Sequence, residues 1–548
     1  MGLCWRLLAG FVGVMCLGAS AARAETPAHP NIVFIMTEDM NPRLGAYGDP
    51  IARTPRIDRL ARESVRFTNA FTTAPVCAPS RAALITGLYA QSFGAQHMRT
   101  SRAWDEQGNS KTFEYLAVPP PEVKAFPELL RRAGWFTSNH RKTDYQFGDP
   151  FTVWDTFAPE AMIGGWRGAA PDQPFFAMIN PEITHEGMIW PPRTPEEAAK
   201  RPQVTDPNSV VLSPFIPDTP VTRLDLARHY DNIATLDGQV GAILDALQAD
   251  GLLDHTIVIF TADHGDGLPH AKRNLYDWGL HVPLLVRFPD GRDAGTVRTD
   301  LVSFIDLAPT ILRLAGVAVP SEMRGQVFLG PERAPDRSYA FAAADRMEKI
   351  PSYWRSARDL HFQYLANHMP ERPLFEPLKF RDIMPTMQEL WRLHAGHQLT
   401  PLQESQFSAP RPREELYDVV ADPDETRNLA DDPNHAGDLA RMRAALDEFE
   451  SRTPDLSKTS ERTMARHLWP GLKQPRTEKP IAKRRKTPDG PVFVLHCKTP
   501  GASIGYRLAS DPPKRWRLYV APVPAREPIE AKAVRYGWAE SRVARASP

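Results

Sequence analysis

The 548-residue chain is short of most features that would place it at a glance. It has four cysteines, Cys4, Cys16, Cys77 and Cys497, two of them in the first stretch, so no disulfide framework holds it together. It has no surplus of either charge. Its 66 Lys+Arg stand against 66 Asp+Glu, which excludes nucleic-acid binding through bulk positive charge. Past the N-terminal stretch no apolar run approaches the ~20 residues that cross a bilayer, so no membrane span is expected. Apolar residues make up 42% and charged residues 24%, so disorder is excluded as the dominant state. Proline is in excess, 54 residues where ~5% is usual, which predicts many ordered loops.

The N-terminus reads as an export signal. Met1–Ala24 carries Arg6, an apolar run from Leu7 to Leu17, and Ala22-Arg23-Ala24 as a cleavage site. Cys16 follows Met15, where a lipoprotein would have a small residue, so a lipid anchor is rejected. The competing reading is an uncleaved N-terminal anchor. The mature chain is expected to begin near Glu25, exported to a periplasm or secreted.

Asn31–Met36 is a continuous apolar run, the mark of a strand buried on both faces. A helical stretch follows over Ser80–Gly87. Thr222–Asp250 predicts a long amphipathic helix with Thr222 as its N-cap and Gly251 as its stop. Thr256–Thr261 and Val282–Phe288 predict two more buried strands. Strands alternating with helices argue for an α/β domain with a largely parallel sheet. The expected division is a signal peptide over 1–24 and an α/β domain over 25–330. An α+β subdomain over 331–470, a basic linker over 471–490 and a small β module over 491–548 follow. The subdomain is expected to hold a strand at Glu415–Asp418 and a surface helix at His435–Ser451. In the linker, Lys483-Arg484-Arg485-Lys486 reads as a solvated run, with contact to an acidic polymer as the sharper alternative.

Polar residues directly after buried strands are the ones to watch, since ligands of open α/β sheets sit beyond the strands' carboxyl ends. Glu38-Asp39 follows the first strand and Asp263-His264 follows the strand at Thr256–Thr261. Together they would make a hard-cation site. Singly, an acid after a strand is as often a helix N-cap. Cys77-Ala78-Pro79-Ser80-Arg81 puts Cys77 at a helix N-terminus, where free N–H groups favour an anion. The bland alternative for a lone cysteine is a small buried hydrophobe.

Cys77-x-Pro79-Ser80-Arg81, with Leu84 and Thr86-Gly87 behind it, resembles the signature of type I sulfatases. Glu38-Asp39 resembles that family's first metal pair. Asp263-His264-Gly265, with Lys272-Arg273-Asn274-Leu275-Tyr276 and Val282-Pro283-Leu284-Leu285, resembles its second metal pair and distal lysine. The resemblance covers roughly residues 30–455. Pro217–Gly265 and Glu415–Leu429 are most similar to the N-sulfoglucosamine sulfohydrolase branch.

The resemblance implies an alkaline-phosphatase-like α/β sandwich and a sulfated carbohydrate substrate. It implies that a maturation enzyme oxidises Cys77 to formylglycine, whose hydrate attacks sulfur and then eliminates sulfate. It implies a Ca²⁺ or Mg²⁺ ion on Glu38, Asp39, Asp263, His264 and the converted Cys77. Arg81 would hold the hydrate, Lys142 and Lys272 the sulfate oxygens, and His185 would protonate the leaving group. His97, Arg99, Asp144 and Arg273 are expected to line the substrate pocket. Three departures stand out. Glu38 replaces the more usual Asp, His264 replaces Asn or Gln, and Asp144 stands where the family has a histidine after Lys142. The last suggests an amino sugar, N-sulfated ahead of O-sulfated. A phosphonate monoester or phosphodiester hydrolase, and an inactive glycan-binding relative, are the competing readings.

Overall fold

The computed structural model describes residues 29–548 apart from 101, 102, 105–110, 159 and 514. The expected signal peptide lies outside the described residues. Among those described, no helix is long and apolar enough to cross a membrane.

The centre is an eight-stranded sheet. Its strands are β1 (Asn31–Thr37), β2 (Val65–Phe71), β3 (Phe136–His140), β4 (Thr156–Phe157), β5 (Phe175–Ile179), β6 (Thr256–Ala262), β7 (His281–Arg287) and β8 (Val297–Ser303). They lie in the order β8-β2-β7-β6-β1-β5-β3-β4. All pairings are parallel except those of β7, which runs antiparallel to both β2 and β6. The sheet is thus largely parallel, as expected, with one reversed strand. β1 and β6 are buried along their full length, which is why they read as unbroken apolar runs.

The register fixes the site. Asn31 pairs with Thr256 and Thr37 with Ala262, so β1 and β6 end level. Ile35 pairs with Ile179, and His140 with Ile179, so β5 and β3 finish at the same edge. The residues after each strand therefore emerge side by side.

Helices cover both faces. α1 (Pro55–Arg62) and α2 (Cys77–Thr86) are followed by α3 (Phe126–Arg132), α4 (Pro220–Ala249) and α5 (Leu307–Leu314). Every residue of α2 is buried, and it ends at Gly87, whose φ of 68° suits a left-handed C-cap. α2 begins at Cys77, three residues before the expected start. The long helix α4 also starts earlier than expected. Its N-cap is Thr219 with Pro220 at N1, and Thr222 is the third residue of a capping box rather than the cap.

Beyond the sheet, β9 (Ala340–Ala344), β10 (Trp354–Arg358), β11 (Phe362–Asn367) and β12 (Glu414–Asp418) form an antiparallel sheet, with α6 (Ala436–Arg452) packed on it. The C-terminal module has two sheets. One joins β13 (Ile481–Thr487), β14 (Gly490–His496) and β17 (Val523–Pro524). The other joins β16 (Arg517–Leu518), β15 (Ser503–Leu508), β18 (Ile529–Val534) and β19 (Ala544–Ala546). The expected basic linker is corrected here. Lys483–Lys486 lies on β13, paired to β14 through a turn at Pro488-Asp489. Its side chains are exposed, so composition resembled a loop while the backbone completes a hairpin.

The module is docked, not tethered. Glu128 of α3 is fully buried and accepts hydrogen bonds from Ser503 Oγ at 2.5 Å, Tyr536 OH at 2.7 Å and Thr152 Oγ1 at 2.6 Å. Phe147 stacks on Tyr536 at 4.9 Å, and the N–H of Gly537 bonds Phe147 O. Burial opposes ionisation of Glu128, but Lys124, Arg132 and the two hydroxyls at Ser503 and Thr152 hold its pKa down at about 2. A depressed carboxylate stabilises the fold above its unfolded pKa, here by roughly 3 kcal/mol, and loses that as pH falls through its folded pKa. Melting temperature should therefore drop between pH 4.5 and 2 in the wild type. Glu128→Gln should melt lower at pH 7 and show a flatter acid limb in the same thermal scans.

Candidate active site

Four loops after β1, β3, β5 and β6, together with the start of α2, converge on one buried cluster. Asp39 Oδ1 lies 3.0 Å from His264 Nε2, and Cys77 Sγ lies 3.3 Å from the same nitrogen and 3.9 Å from Asp39 Oδ1. Donor atoms of Asp39, Cys77, Asp263 and His264 all fall within 4.8 Å of one another, as do those of Glu38, Asp39, Cys77 and His185. Glu38 and Asp39 are adjacent, and on a strand they would point to opposite faces. Asp39 has a φ of 45°, which breaks the alternation and brings both inward.

Asp39 and Asp263 are each held by one oxygen, and Glu38 faces a basic group on both. Asp39 Oδ2 accepts from Lys272 Nζ at 2.6 Å and from the N–H of Glu186 at 2.8 Å. Asp263 Oδ2 accepts from Arg81 Nε at 2.9 Å. Glu38 accepts from Lys142 Nζ at 2.7 Å, and Arg81 lies 3.5 Å from its other oxygen. Burial opposes the charge on Asp39, yet Lys272 and His264 hold it well below the usual carboxylate range. Burial likewise opposes the charge on His264, but Asp263 and Asp39 raise its pKa to about 10.

Arg81 is fully buried and spends its third arm on Asn180 Oδ1 at 2.8 Å. His185 Nδ1 accepts the N–H of Gly187, so its proton sits on Nε2, 3.9 Å from Glu38. Burial and then Lys272 lower the His185 pKa. Asp144 lies 2.6 Å from Arg99 and 3.7 Å from Lys142, and its Oδ2 is buried without a hydrogen bond. Burial disfavours its charge, but Lys142 and Arg99 keep its pKa lowered. Asp39, Arg99, Asp144 and Arg273 all have positive φ, a concentration of strained backbone around one cluster. Gly265 permits the close turn after His264, because a Cβ there would fall 2.0 Å from the Trp278 carbonyl oxygen.

His97 is not part of the cluster. Its Nδ1 accepts the N–H of Arg346 at 3.2 Å, so it serves the contact with the C-terminal subdomain. Two residues escaped the sequence reading. Asn180 follows β5, whose Phe175–Ile179 run carries the same signal as β1. Glu186 is buried between Arg273, at 2.8 and 3.0 Å, and Lys272, at 2.9 Å.

The donor set fits a divalent cation. Asp39 and Asp263 turn oxygens toward Cys77 and the His264 nitrogen while basic groups hold their outer oxygens, and Glu38 meets Asp39 and Cys77 on the side of His185.

The sulfatase family profile matches residues 30–317, more than half of the chain. This chain belongs to the sulfatase family. As a sulfatase it is a sulfuric ester hydrolase. It is 37% identical to an "Ulvan-active sulfatase" of Formosa agariphila, over 96% of this chain and 92% of that protein. It is 30% identical to the N-sulphoglucosamine sulphohydrolase of Homo sapiens, over 81% of this chain and 93% of that enzyme. The solved structure of BT4656 in complex with its substrate, D-glucosamine-2-N,6-O-disulfate, superposes with a TM-score of 0.52 at 20% identity. That superposition covers 78% of this chain and 99% of the other. The sulfatase therefore has the alkaline-phosphatase-like fold its sequence implied.

Glu186 is the close partner of Arg273 in this sulfatase, so Glu186→Gln leaves a buried guanidinium with only Glu348, at 3.9 Å, to offset it. The expected loss is about 3 kcal/mol of unfolding free energy. Adding Arg273→Met should recover part of it, read as a coupling energy in a double-mutant cycle by chemical denaturation.

Proposed function

We propose that this sulfatase removes sulfate from a sulfated carbohydrate, using a formylglycine made from Cys77 and a Ca²⁺ or Mg²⁺ ion held by Asp39, Asp263, Glu38 and His264. The observation that carries the reading is the cluster at Cys77. A cysteine at the start of a buried helix faces two carboxylates and an imidazole, ringed by Arg81, Lys142 and Lys272.

When present, formylglycine supplies a hydroxyl nucleophile, and the cation supplies Lewis acidity toward the sulfate. The chain's own residues do the rest. Arg81, pinned by Asp263 and Asn180, fixes the charge beside position 77. Lys142 and Lys272 are point charges suited to sulfate oxygens. His185 presents its Nε2 proton to the cluster, as a leaving-group donor must. Arg99 and Lys142 already offset the charge of Asp144, so its free Oδ2 suits a sugar hydroxyl or amino hydrogen better than it suits a developing ammonium.

Two substrates have specific support. An N-sulfated glucosamine is supported by the likeness to the N-sulphoglucosamine sulphohydrolase. Ulvan is supported by the stronger likeness to the ulvan-active sulfatase.

Protein made with its maturation enzyme should lose about 18 Da at Cys77, thiol to aldehyde, in peptide mass spectrometry. Cys77→Ala should fold but release no sulfate from N-sulfated glucosamine, O-sulfated glucosamine or ulvan. Turnover by that variant, or inactivity of the converted wild type on all three, would overturn the reading.

The carboxylates also make a metal prediction. Chelation should lower both sulfate release and melting temperature, since a cation bound by the folded site and not by the unfolded chain stabilises the fold. Adding Ca²⁺ or Mg²⁺ back should restore both, read by parallel activity assays and thermal scans.

A further inference from the structure

Arg273 has a second side. Away from Glu186 it lines a pocket on the side facing the C-terminal subdomain. Three more arginines line it, Arg372, Arg381 and Arg411, with Trp354 and Leu374 among its apolar walls. Glu186 joins the pocket to the catalytic cluster, pairing with Arg273 on one side and Lys272 on the other.

The four guanidinium groups are not equally paired. Arg273 has Glu186. Arg372 holds Glu376 through two bonds, at 2.7 and 2.6 Å. Arg381 lies 3.1 Å from Asp382, and Phe375 packs beneath it. Arg411 has no carboxylate within ion-pair distance among the described residues. Its Nε donates to the backbone oxygen of Arg372 at 2.9 Å, and it lies 3.9 Å over the Trp354 ring. Its Nη1 is buried without any hydrogen-bond partner. Burial lowers the pKa of Arg411 against the pull of Glu415, Glu376 and Glu371, and burial with the nearby Arg273 takes Arg381 down to about 10. A guanidinium laid on an indole with a donor left unpaired is suited to a planar or tetrahedral anion. The apolar walls beside it suit the faces of a sugar ring.

We propose that this pocket is a subsite for a second anionic group, a carboxylate or a further sulfate, on the sugar next to the one that loses its sulfate, with Arg411 as its main contact. The inference rests on the reading of a sulfated carbohydrate substrate. It makes the enzyme selective for doubly charged stretches of a polymer rather than for isolated sulfated sugars.

The test compares kcat/KM on three disaccharides that share the sulfated sugar the wild type desulfates. Their neighbouring ring is neutral, a hexuronate, or sulfated. The wild type should favour at least one charged form over the neutral one about tenfold or more, as expected for a charge-assisted bond. Which charged form wins identifies the anion. Arg411→Met keeps the contact with Trp354 and removes the charge, and should bring that ratio close to one. Arg372→Gln, at a half-exposed position, leaves Glu376 unpaired in the pocket and should lower the ratio without endangering the fold. Arg411→Lys should retain part of the preference. Thermal scans confirm that each variant is folded.

A second arm does not need turnover. Methyl glucuronide and a methyl glucoside sulfate are titrated calorimetrically into Cys77→Ala protein, with and without Arg411→Met. Binding of one of them that Arg411→Met abolishes supports the subsite even if no sulfated carbohydrate is turned over, which would sink the functional reading alone. No charge preference in the wild type, a preference that survives Arg411→Met, or binding insensitive to Arg411 overturns the subsite.

Discussion

The level ends of β1 and β6 are the constraint on which the site depends. Two parallel strands paired in register from Asn31–Thr256 to Thr37–Ala262 deliver Glu38-Asp39 and Asp263-His264 to the same edge at the same height. A slip of one residue would send every side chain of β1 to the other face and move one acid pair away from the other. The full burial of both strands opposes such a slip, because it would repack apolar side chains on both faces of β1 at once. β5 and β3 add Asn180, His185 and Lys142 at the same edge for the same reason. The chemistry is thus positioned by hydrophobic register, and the catalytic loops need only turn the last residue or two inward.

That turning has a local cost, which the structure concentrates where it is useful. Four residues around the cluster adopt positive φ without being glycine. Such backbone costs of order 1–3 kcal/mol per residue and persists only when its surroundings over-determine it. Here they do. Asp39 is fixed by Lys272 and a backbone N–H, Asp144 by Arg99 and Lys142, and Arg273 by both oxygens of Glu186. The same bonds solve the desolvation problem. A buried carboxylate alone would take up a proton, whereas one held by a lysine or arginine keeps its charge and the direction of its inner oxygen. Arg81 shows this most fully, since one guanidinium sets the position of Glu38, Asp263 and Asn180 together.

How much of this was legible follows from what each signal depends on. β1 and β6 could be read because double-sided burial writes an apolar run, and Cys77, Arg81, Asp39 and Asp263 because a motif sits beside those runs. β5 carries an equal run, Phe175–Ile179, and with it Asn180 was within reach. The reversal of β7 was not, since an antiparallel strand buried on both faces has the composition of a parallel one. Thr222 passed for an N-cap because Thr219 and Pro220 before it satisfy the helix start better, and a capping box contains both threonines. His97 sits near Arg99 in sequence yet reports to Arg346, a contact between distant segments that no local pattern encodes.

The hairpin of β13 and β14 shows the same limit from the other side. Lys483-Arg484-Arg485-Lys486 has the composition of a solvated linker, and its side chains are indeed solvated. What composition misses is that an edge strand needs only its backbone to be paired, so its side chains are free to be charged on both faces. Charged edges also resist pairing with a second chain, a common protection for exposed strands. The order of the module then comes from elsewhere, from Glu128, Phe147 and the backbone of Gly537 at the junction with the catalytic domain. Tyr506 and Tyr519 pack with the module's own core, and Trp516 packs on Phe151 of the catalytic domain. All three aromatics are thus engaged in packing.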